Sequence, residues 1–477
     1  MNFRRYFSQF ILPATAIFAF VWAVARACIQ SITIDEADTY LAWVARHDPS
    51  QWEAASNNHV LNSLLMRLFT SVLGVSHLAV RAPALLGAGI YIAACYWLCR
   101  KLTPDLHVQW PVFVCLVYNP FIFDHLVAAR GYALALGFLM LMLCVAAYSG
   151  LSVTACAACS ICAALSFAAN FSFAFADAFA LLAILTWACA RTQAIQTRVR
   201  LLGACVLPGL LVSVFLSVPV VLRWPKGQLE YGAHSLGEMF RTVGSASIYR
   251  LNPQMVNPML MVWLEPASHR LIPILLALAT AYWIWKRPPF ALALLAILSA
   301  AIASHWLLLR ADGVLLPMDR TAIWIVPLTV LAIGAAAVNA RPLQWSLYVA
   351  GFYFLLCMRL NYFKEWNWDA DVNRIYPVLA WYNHTYGVRA VGSNWLYGAT
   401  LNFYRLQSGR ESFGEIDTPP ELPADRQVYV LYWPRDESFA TEQHLRVVYR
   451  APNTEAVVAI RPEVETQPES THVAAGR

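Results

Sequence analysis

Residues 10–40 read FILPATAIFAFVWAVARACIQSITIDEADTY, and the junction inside this stretch decides the fold class. Its first part is apolar for long enough to cross a bilayer, which takes roughly 20 residues. Its second part brings Asp35, Glu36 and Asp38 to the point where that span meets water. In a soluble chain the letters D-E-A-D would point to an RNA helicase. Such an enzyme also needs G-x-x-x-x-G-K-[ST], and none of the four lysines (Lys101, Lys226, Lys286 and Lys364) follows a glycine. Composition favours the membrane: of 477 residues, 59% are hydrophobic and 13% charged, whereas about 25% are charged in soluble domains.

The net charge of +6 is carried by bases scattered in ones and twos along loops, not gathered in a stripe, so nucleic acid is excluded as a partner. All 11 cysteines lie within or at the edge of apolar runs, and no disulfide framework can be read from them. CAACSIC, residues 156–162, has cluster-like spacing but lies inside an apolar helix without a fourth cysteine. It reads as small-residue helix packing. The N-terminus starts basic and lacks a small-residue cleavage site, so the first run is expected to be an uncleaved span.

Eleven apolar runs are candidates for spans: about 8–30, 79–99, 109–123, 131–148, 151–169, 171–190, 201–222, 271–285, 290–309, 321–339 and 343–361. Short cytoplasmic loops should be rich in Lys and Arg. With the N-terminus inside, Arg4, Arg5, Arg100, Lys101, Arg191, Arg198, Arg200, Lys286, Arg287 and Arg341 all fall in inner loops, with Asp105 the one acid among them. The odd number of spans then puts the segments 31–78 and 223–270 and everything after 361 on the outer side. Within the first of these, VLNSLLMRLFTSVLG (60–74) has the spacing of a helix lying in the interface. After 361 the charge rises. QVYVLYW, LRVVYR and EAVVAI read as short strands, and DVNRIYPVLAWYNHTYG and WLYGATLNFYRLQ as helices. The expected domains are a transmembrane core, 1–361, a small α/β domain, 362–461, and a disordered tail, 462–477.

Polar groups of both signs gather at the outer ends of the spans, among them Asp35, Glu36, His59, Arg130 and Arg320. Asp177 should lie about 9 Å inside its span at ~1.5 Å per residue, where an unpaired carboxylate costs about 2.5 kcal/mol or more. It should therefore face a polar cavity or a cation, Arg130 being one structural partner. Carboxylates beside cations at a membrane surface suit a reaction on a lipid-borne phosphate. Cations hold the anionic headgroup and a carboxylate takes a proton from an incoming hydroxyl. Spacing alone leaves an enzyme and a transporter both open, and equally leaves Asp35 and Glu36 as residues of a solvated loop.

Four segments together resemble a known family: TIDEADTYLAW, the run NNHVLNSLLMRLFTSVLGVSHLAVRAPALLG, YNPFIFDHLVAARGYALALGF and LPMDRTAIWIVPL. They are similar to the GT-C membrane glycosyltransferases that use polyprenyl-phosphate sugars, the group of the protein O-mannosyltransferases and the lipid A aminoarabinose transferase. Asp35 and Glu36 match that family's acidic pair, Asn58 and His59 its second element, Arg81 and Pro83 its third. Ala129, Arg130, Tyr132, Ala133 and Leu134 match its A-R-x-Y-A-L. Val60 stands where a proline usually follows the histidine.

The resemblance implies a GT-C fold: an all-α polytopic protein of about eleven transmembrane helices with a small α/β C-terminal periplasmic domain, in a bacterial inner membrane. It implies transfer of a sugar from a polyprenyl-phosphate donor to an unidentified acceptor. Asp35 would be the base and Glu36 its neighbour, with Arg130, Arg320 and His59 for the donor phosphate and Asn58, Tyr132 and Asp177 for substrate. Some relatives use a divalent metal near the first outer loop, but no His, Cys or Asp pair here has ligand spacing. A flippase or transporter of lipid-linked sugars would need polar groups through the full depth of the membrane. An oligosaccharide polymerase or ligase shares the substrate class.

Overall fold

A computed structural model describes residues 3–45, 48–229, 231–252, 255–409, 414–417 and 421–466. Its helices in chain order are α1 (Phe3–Ile29), α2 (Ile34–Thr39), α3 (Val60–Leu73), α4 (His77–Leu102), α5 (Leu106–Val117), α6 (Pro120–Val127), α7 (Tyr132–Tyr148), α8 (Val153–Ala169), α9 (Ala174–Ala190), α10 (Ile195–Leu216), α11 (Val218–Val221), α12 (Leu236–Ser247), α13 (Pro258–Lys286), α14 (Pro289–Asp312), α15 (Ile325–Ala337), α16 (Arg341–Leu356), α17 (Val372–Tyr386), α18 (Trp395–Ser408), α19 (Trp433–Glu442) and α20 (Glu463–Thr466). The strands are β1 (Val391–Ser393), β2 (Val428–Tyr432), β3 (Arg446–Arg450) and β4 (Ala456–Ile460).

Each of the eleven apolar runs falls largely on helix, yet among the described residues length and composition qualify six helices, or seven counting one bent pair, as membrane-crossing. The run at 109–123 is that pair: α5 and α6 meet at 57°. The first helix ends at its C-cap Tyr118, Asn119 caps the second through its side chain, and Pro120 takes the first helical position, where its missing N–H does no harm. The helices α7 and α8 have 17 residues each and α16 has 16, short of a full crossing. In place of the run at 271–285 there is a 29-residue helix, α13, which begins at Pro258 behind the cap of Asn257.

The chain divides into two compact units. One unit comprises Met1–Ala27, Glu53–Leu65 and Arg81–Arg359. The other joins Cys28–Trp52 and Met66–Val80 to Leu360–Arg477. Buried hydrogen bonds explain why the acidic segment goes with the C-terminal residues. The Tyr404 hydroxyl accepts from the Ile32 amide at 3.0 Å and lies 3.2 Å from Ser31 Oγ and 3.0 Å from His77 Nε2.

In the first unit α7 is apolar all round and mostly buried, as a helix of the interior is. Small residues bring α8 and α10 together: a Cβ on Gly209 would meet Ser160 O at 2.5 Å, and the Gly209 amide donates to Ser160 Oγ at 2.9 Å. Cys156, Cys159 and Cys162 are buried on α8 with free thiols, in keeping with packing. Arg26, near the end of α1, donates to Asp124 of α6 at 2.7 Å, both buried. The guanidinium of Arg26 also lies 5.6 Å from the Phe123 ring.

In the second unit the four strands form one sheet in the order β1-β2-β4-β3. The three strands legible in the sequence are β2, β3 and β4, of which β4 lies between the other two and pairs antiparallel with both, while β1 pairs parallel with β2. Tyr429, Leu431, Val457 and Ala459 build the core on one face with Ala440 of α19. β3 has β4 as its one neighbour in the sheet, and it bears exposed Arg446 and Arg450, charges that discourage further pairing. Of the tail expected to be disordered, Glu463–Thr466 is a helical turn whose Glu465 accepts from the Tyr382 hydroxyl at 2.9 Å, and 467–477 lie outside the described residues.

Candidate functional site

The candidate residues fall into two constellations, one in each unit. In the second unit they centre on α2. Thr33 caps this helix with a reciprocal pair of bonds: the Glu36 amide donates to Thr33 Oγ1 at 3.2 Å and the Thr33 amide donates to Glu36 Oε2 at 2.9 Å. This is the capping box, whose Thr-x-x-Glu spacing was present in the sequence. It leaves Glu36 fully buried and engaged at the helix start, while Asp35 is half-buried and Asp38 exposed.

Two residues not singled out from the sequence complete this constellation. The indole Nε1–H of Trp366 donates to Asp35 Oδ2 at 3.1 Å. Asp369, at the end of the same short turn, accepts the Ile34 amide on Oδ2 at 2.7 Å and the Thr400 hydroxyl on Oδ1 at 3.4 Å. Asp369 is buried, and burial pushes its carboxyl well above the usual range, helped by the charges of Asp35 and Glu36 and opposed by the Ile34 bond. The sequence signal was the segment KEWNWDAD (364–371), in which carboxylates alternate with tryptophans directly after the last apolar run.

In the first unit the structure brings together Asn58, His59, Arg130 and Tyr132. They come from two segments, 56–63 and 129–132, which meet through side chains. Arg130 donates to Asn57 Oδ1, and Asn62 Nδ2 donates to the Ala129 carbonyl at 3.0 Å. The His59 ring stands 5.4 Å from the Tyr132 ring, and the His125 ring meets that tyrosine edge-on at 4.9 Å. His59 Nδ1 lies 3.0 Å from the Ala169 carbonyl, a bond that makes Nδ1 the protonated nitrogen of the neutral ring. Asn58 Oδ1 accepts from Ser63 Oγ at 3.0 Å. Gly131 makes the approach feasible: it has φ +77°, and a Cβ there would meet Ala169 O at 2.2 Å and His59 Cβ at 2.9 Å.

The other two candidates sit elsewhere in that unit. Asp177 is buried in the first turn of α9, and neither of its carboxylate oxygens has a hydrogen bond among the described residues. The expected pairing with Arg130 is therefore not made, and the arginine turns to Asn57. Arg320 is half-buried in a short 3-10 turn, Asp319–Ala322. That turn is fixed by the Asp319 amide, which donates to Thr242 Oγ1 at 3.1 Å, and by the Tyr231 hydroxyl, which donates to Asp319 Oδ2 at 3.4 Å. Among the described residues no group of three or more His, Cys, Asp and Glu side chains is placed to hold a metal ion.

No family model and no curated protein matches the chain. Among solved structures, the crystal structures of ArnT from Cupriavidus metallidurans are similar. In the form bound to undecaprenyl phosphate the identity is 13% and the TM-score 0.40. In the apo state they are 12% and 0.39. Both alignments cover 94% of this chain and 97% of the other. The likeness is distant in sequence and in shape, so residue roles are not transferred from it.

Proposed function

We propose that this chain is a membrane glycosyltransferase that moves a sugar from a polyprenyl-phosphate carrier to an acceptor hydroxyl, by one inverting displacement on the periplasmic face. The class rests on the resemblance of its four segments to the GT-C transferases. The observation that carries the choice of base lies within the acidic pair: Glu36 is buried and engaged by the Thr33 amide, whereas Asp35 is half-buried and bonded through Oδ2 to a neutral indole. A general base needs an oxygen within reach of the incoming hydroxyl, and Asp35 meets that need better.

In this reading Asp35 accepts the proton as the acceptor oxygen attacks the anomeric carbon. The bond from that carbon to the phosphate oxygen breaks, and the polyprenyl phosphate departs with the electron pair. A phosphate leaving group needs no acid. Arg130, Arg320 and His59 hold the donor phosphate, since the planar guanidinium fork matches phosphate oxygens. Asn58, Tyr132 and Asp177 are proposed for the sugar.

A single-turnover assay with a defined lipid-phosphate sugar, run on folded, monodisperse protein, tests this. Asp35→Asn keeps size and loses the proton acceptor, so turnover should fall about 10²–10⁴-fold with donor binding retained. Normal turnover by Asp35→Asn together with a dead Glu36→Gln would move the base to Glu36. Full activity in both would overturn the mechanism.

A further inference from the structure

The turn that follows the last apolar run grips the start of α2 at two consecutive residues. Trp366 and Asp369 belong to one turn, closed by the Asp369 amide donating to the Trp366 carbonyl at 3.1 Å. Asp369 holds the amide of Ile34, and Trp366 holds the carboxylate of Asp35. Trp366 is itself fixed: it is 2% exposed and its ring meets Phe363 edge-on at 5.8 Å. A buried donor held on Oδ2 is thus one fixed contact that orients the Asp35 carboxylate.

We infer that Trp366 is a positioning residue for Asp35, fixing its rotamer and stabilising its ionised form, with Asp369 anchoring the backbone one residue earlier. This rests on the reading of Asp35 as the base. A hydrogen bond to the charged form of a carboxylate favours that form. Removing the indole donor therefore makes Asp35 harder to ionise and leaves its side chain less ordered. Asp369 in the turn interacts with Asp35 electrostatically, and other titratable groups lie on the same elements: Glu36 and Asp38 on α2, Lys364 and Glu365 before the turn, and Tyr397 and Tyr404 on α18. All of them remain when only the indole N–H is changed.

The cleanest variant replaces Trp366 with benzothienylalanine, which keeps the bicyclic shape and puts sulfur in place of N–H; Trp366→Phe is the second. Carboxyl labelling by a water-soluble carbodiimide is followed against pH on the full chain, with the modified residue located by peptide mass spectrometry. Loss of the donor should raise the labelling midpoint of Asp35 by about one unit and leave that of exposed Asp38 unchanged. An Asp35 midpoint that stays put in the benzothienylalanine protein overturns the inference, whatever the transfer assay shows. In that assay kcat should fall and its acidic limb move to higher pH, with KM for the donor unchanged. A fall in donor affinity alone would also overturn the positioning role. The transferase reading fails on a different result, normal turnover by Asp35→Asn.

Discussion

Thr33 and Glu36 exchange hydrogen bonds across the first turn of α2, amide to side chain in both directions. The acidic pair is thereby divided: one carboxylate builds the helix start, and its neighbour leaves the helix in another direction. Glu36→Gln keeps an oxygen that accepts from Thr33 N and should leave turnover within a few-fold of wild type. Glu36→Ala removes the reciprocal half of the box and should cost about 1 kcal/mol, the usual worth of such a cap. Thermal unfolding of both variants, read beside the transfer assay, checks the ordering.

Gly131 offers a sharper test of the cluster in the first unit. Its φ is +77°, and a methyl group there would come within 2.2 Å of the Ala169 carbonyl oxygen, which leaves no room for any side chain. Gly131→Ala must displace either α8 or the segment bearing His59. Destabilisation of about 1–3 kcal/mol is expected from strain at such a position, together with loss of activity as Arg130 and Tyr132 move. A Gly131→Ala protein with wild-type melting temperature and turnover would show that these two segments are not held as described.

Much of this architecture was legible because hydrophobic runs report helices directly. The strands β2, β3 and β4 were legible for a similar reason, being five-residue β-branched segments between polar stretches. β1 was not, since three residues carry no periodicity and its place comes from pairing with β2. The break between α5 and α6 was written in Asn119-Pro120 but hidden by the apolar residues around it. In the candidate site, the sequence draws attention to the residues at motif positions and passes over Trp366 and Asp369. They reach Asp35 and Ile34 across more than 330 positions of chain, and no local pattern encodes such a contact.

Asp369 makes stability depend on pH in a stated direction. Its folded pKa is raised by burial and by Asp35 and Glu36, so its contribution is fully present below the ordinary carboxylate range. That contribution is lost as pH rises from the unfolded value through the folded one. Asp369→Asn stays neutral and can still accept from Ile34, so the melting-temperature difference, variant minus wild type, should grow more positive from about pH 4 towards neutrality. A difference that is flat across that range would show that Asp369 ionises in the folded protein as it does in the unfolded one.

We propose, from the ten-to-one charge bias of the inner loops expected for eleven spans, that 362–477 lie outside. Glu442, exposed at the end of α19, is a suitable reporter. In a background without native cysteines, Glu442→Cys should react with an impermeant thiol reagent in intact spheroplasts. Labelling that appears only after lysis would invert the topology and place Asp35 on the wrong side for a periplasmic reaction.

The ion pair between Arg26 and Asp124 tests the packing of α1 on α6. Its 2.7 Å length and the near-complete burial of both side chains make it sensitive to the loss of one partner. The survivor would remain a buried charge, a loss that typically costs about 3–5 kcal/mol. Arg359 and Arg81 act on Arg26 as like charges, so removing Asp124 leaves Arg26 with like-charged neighbours as well as without this partner. Asp124→Leu should therefore destabilise at least as much as Arg26→Met. In the double variant both charges of the pair are gone and apolar side chains fill the space, so its loss should be clearly smaller than the sum of the two single losses. Unfolding in a denaturant-detergent titration, arranged as a double-mutant cycle, gives the coupling directly. Additive losses would mean that the two residues are stabilised independently and that their contact contributes nothing to the packing of these helices.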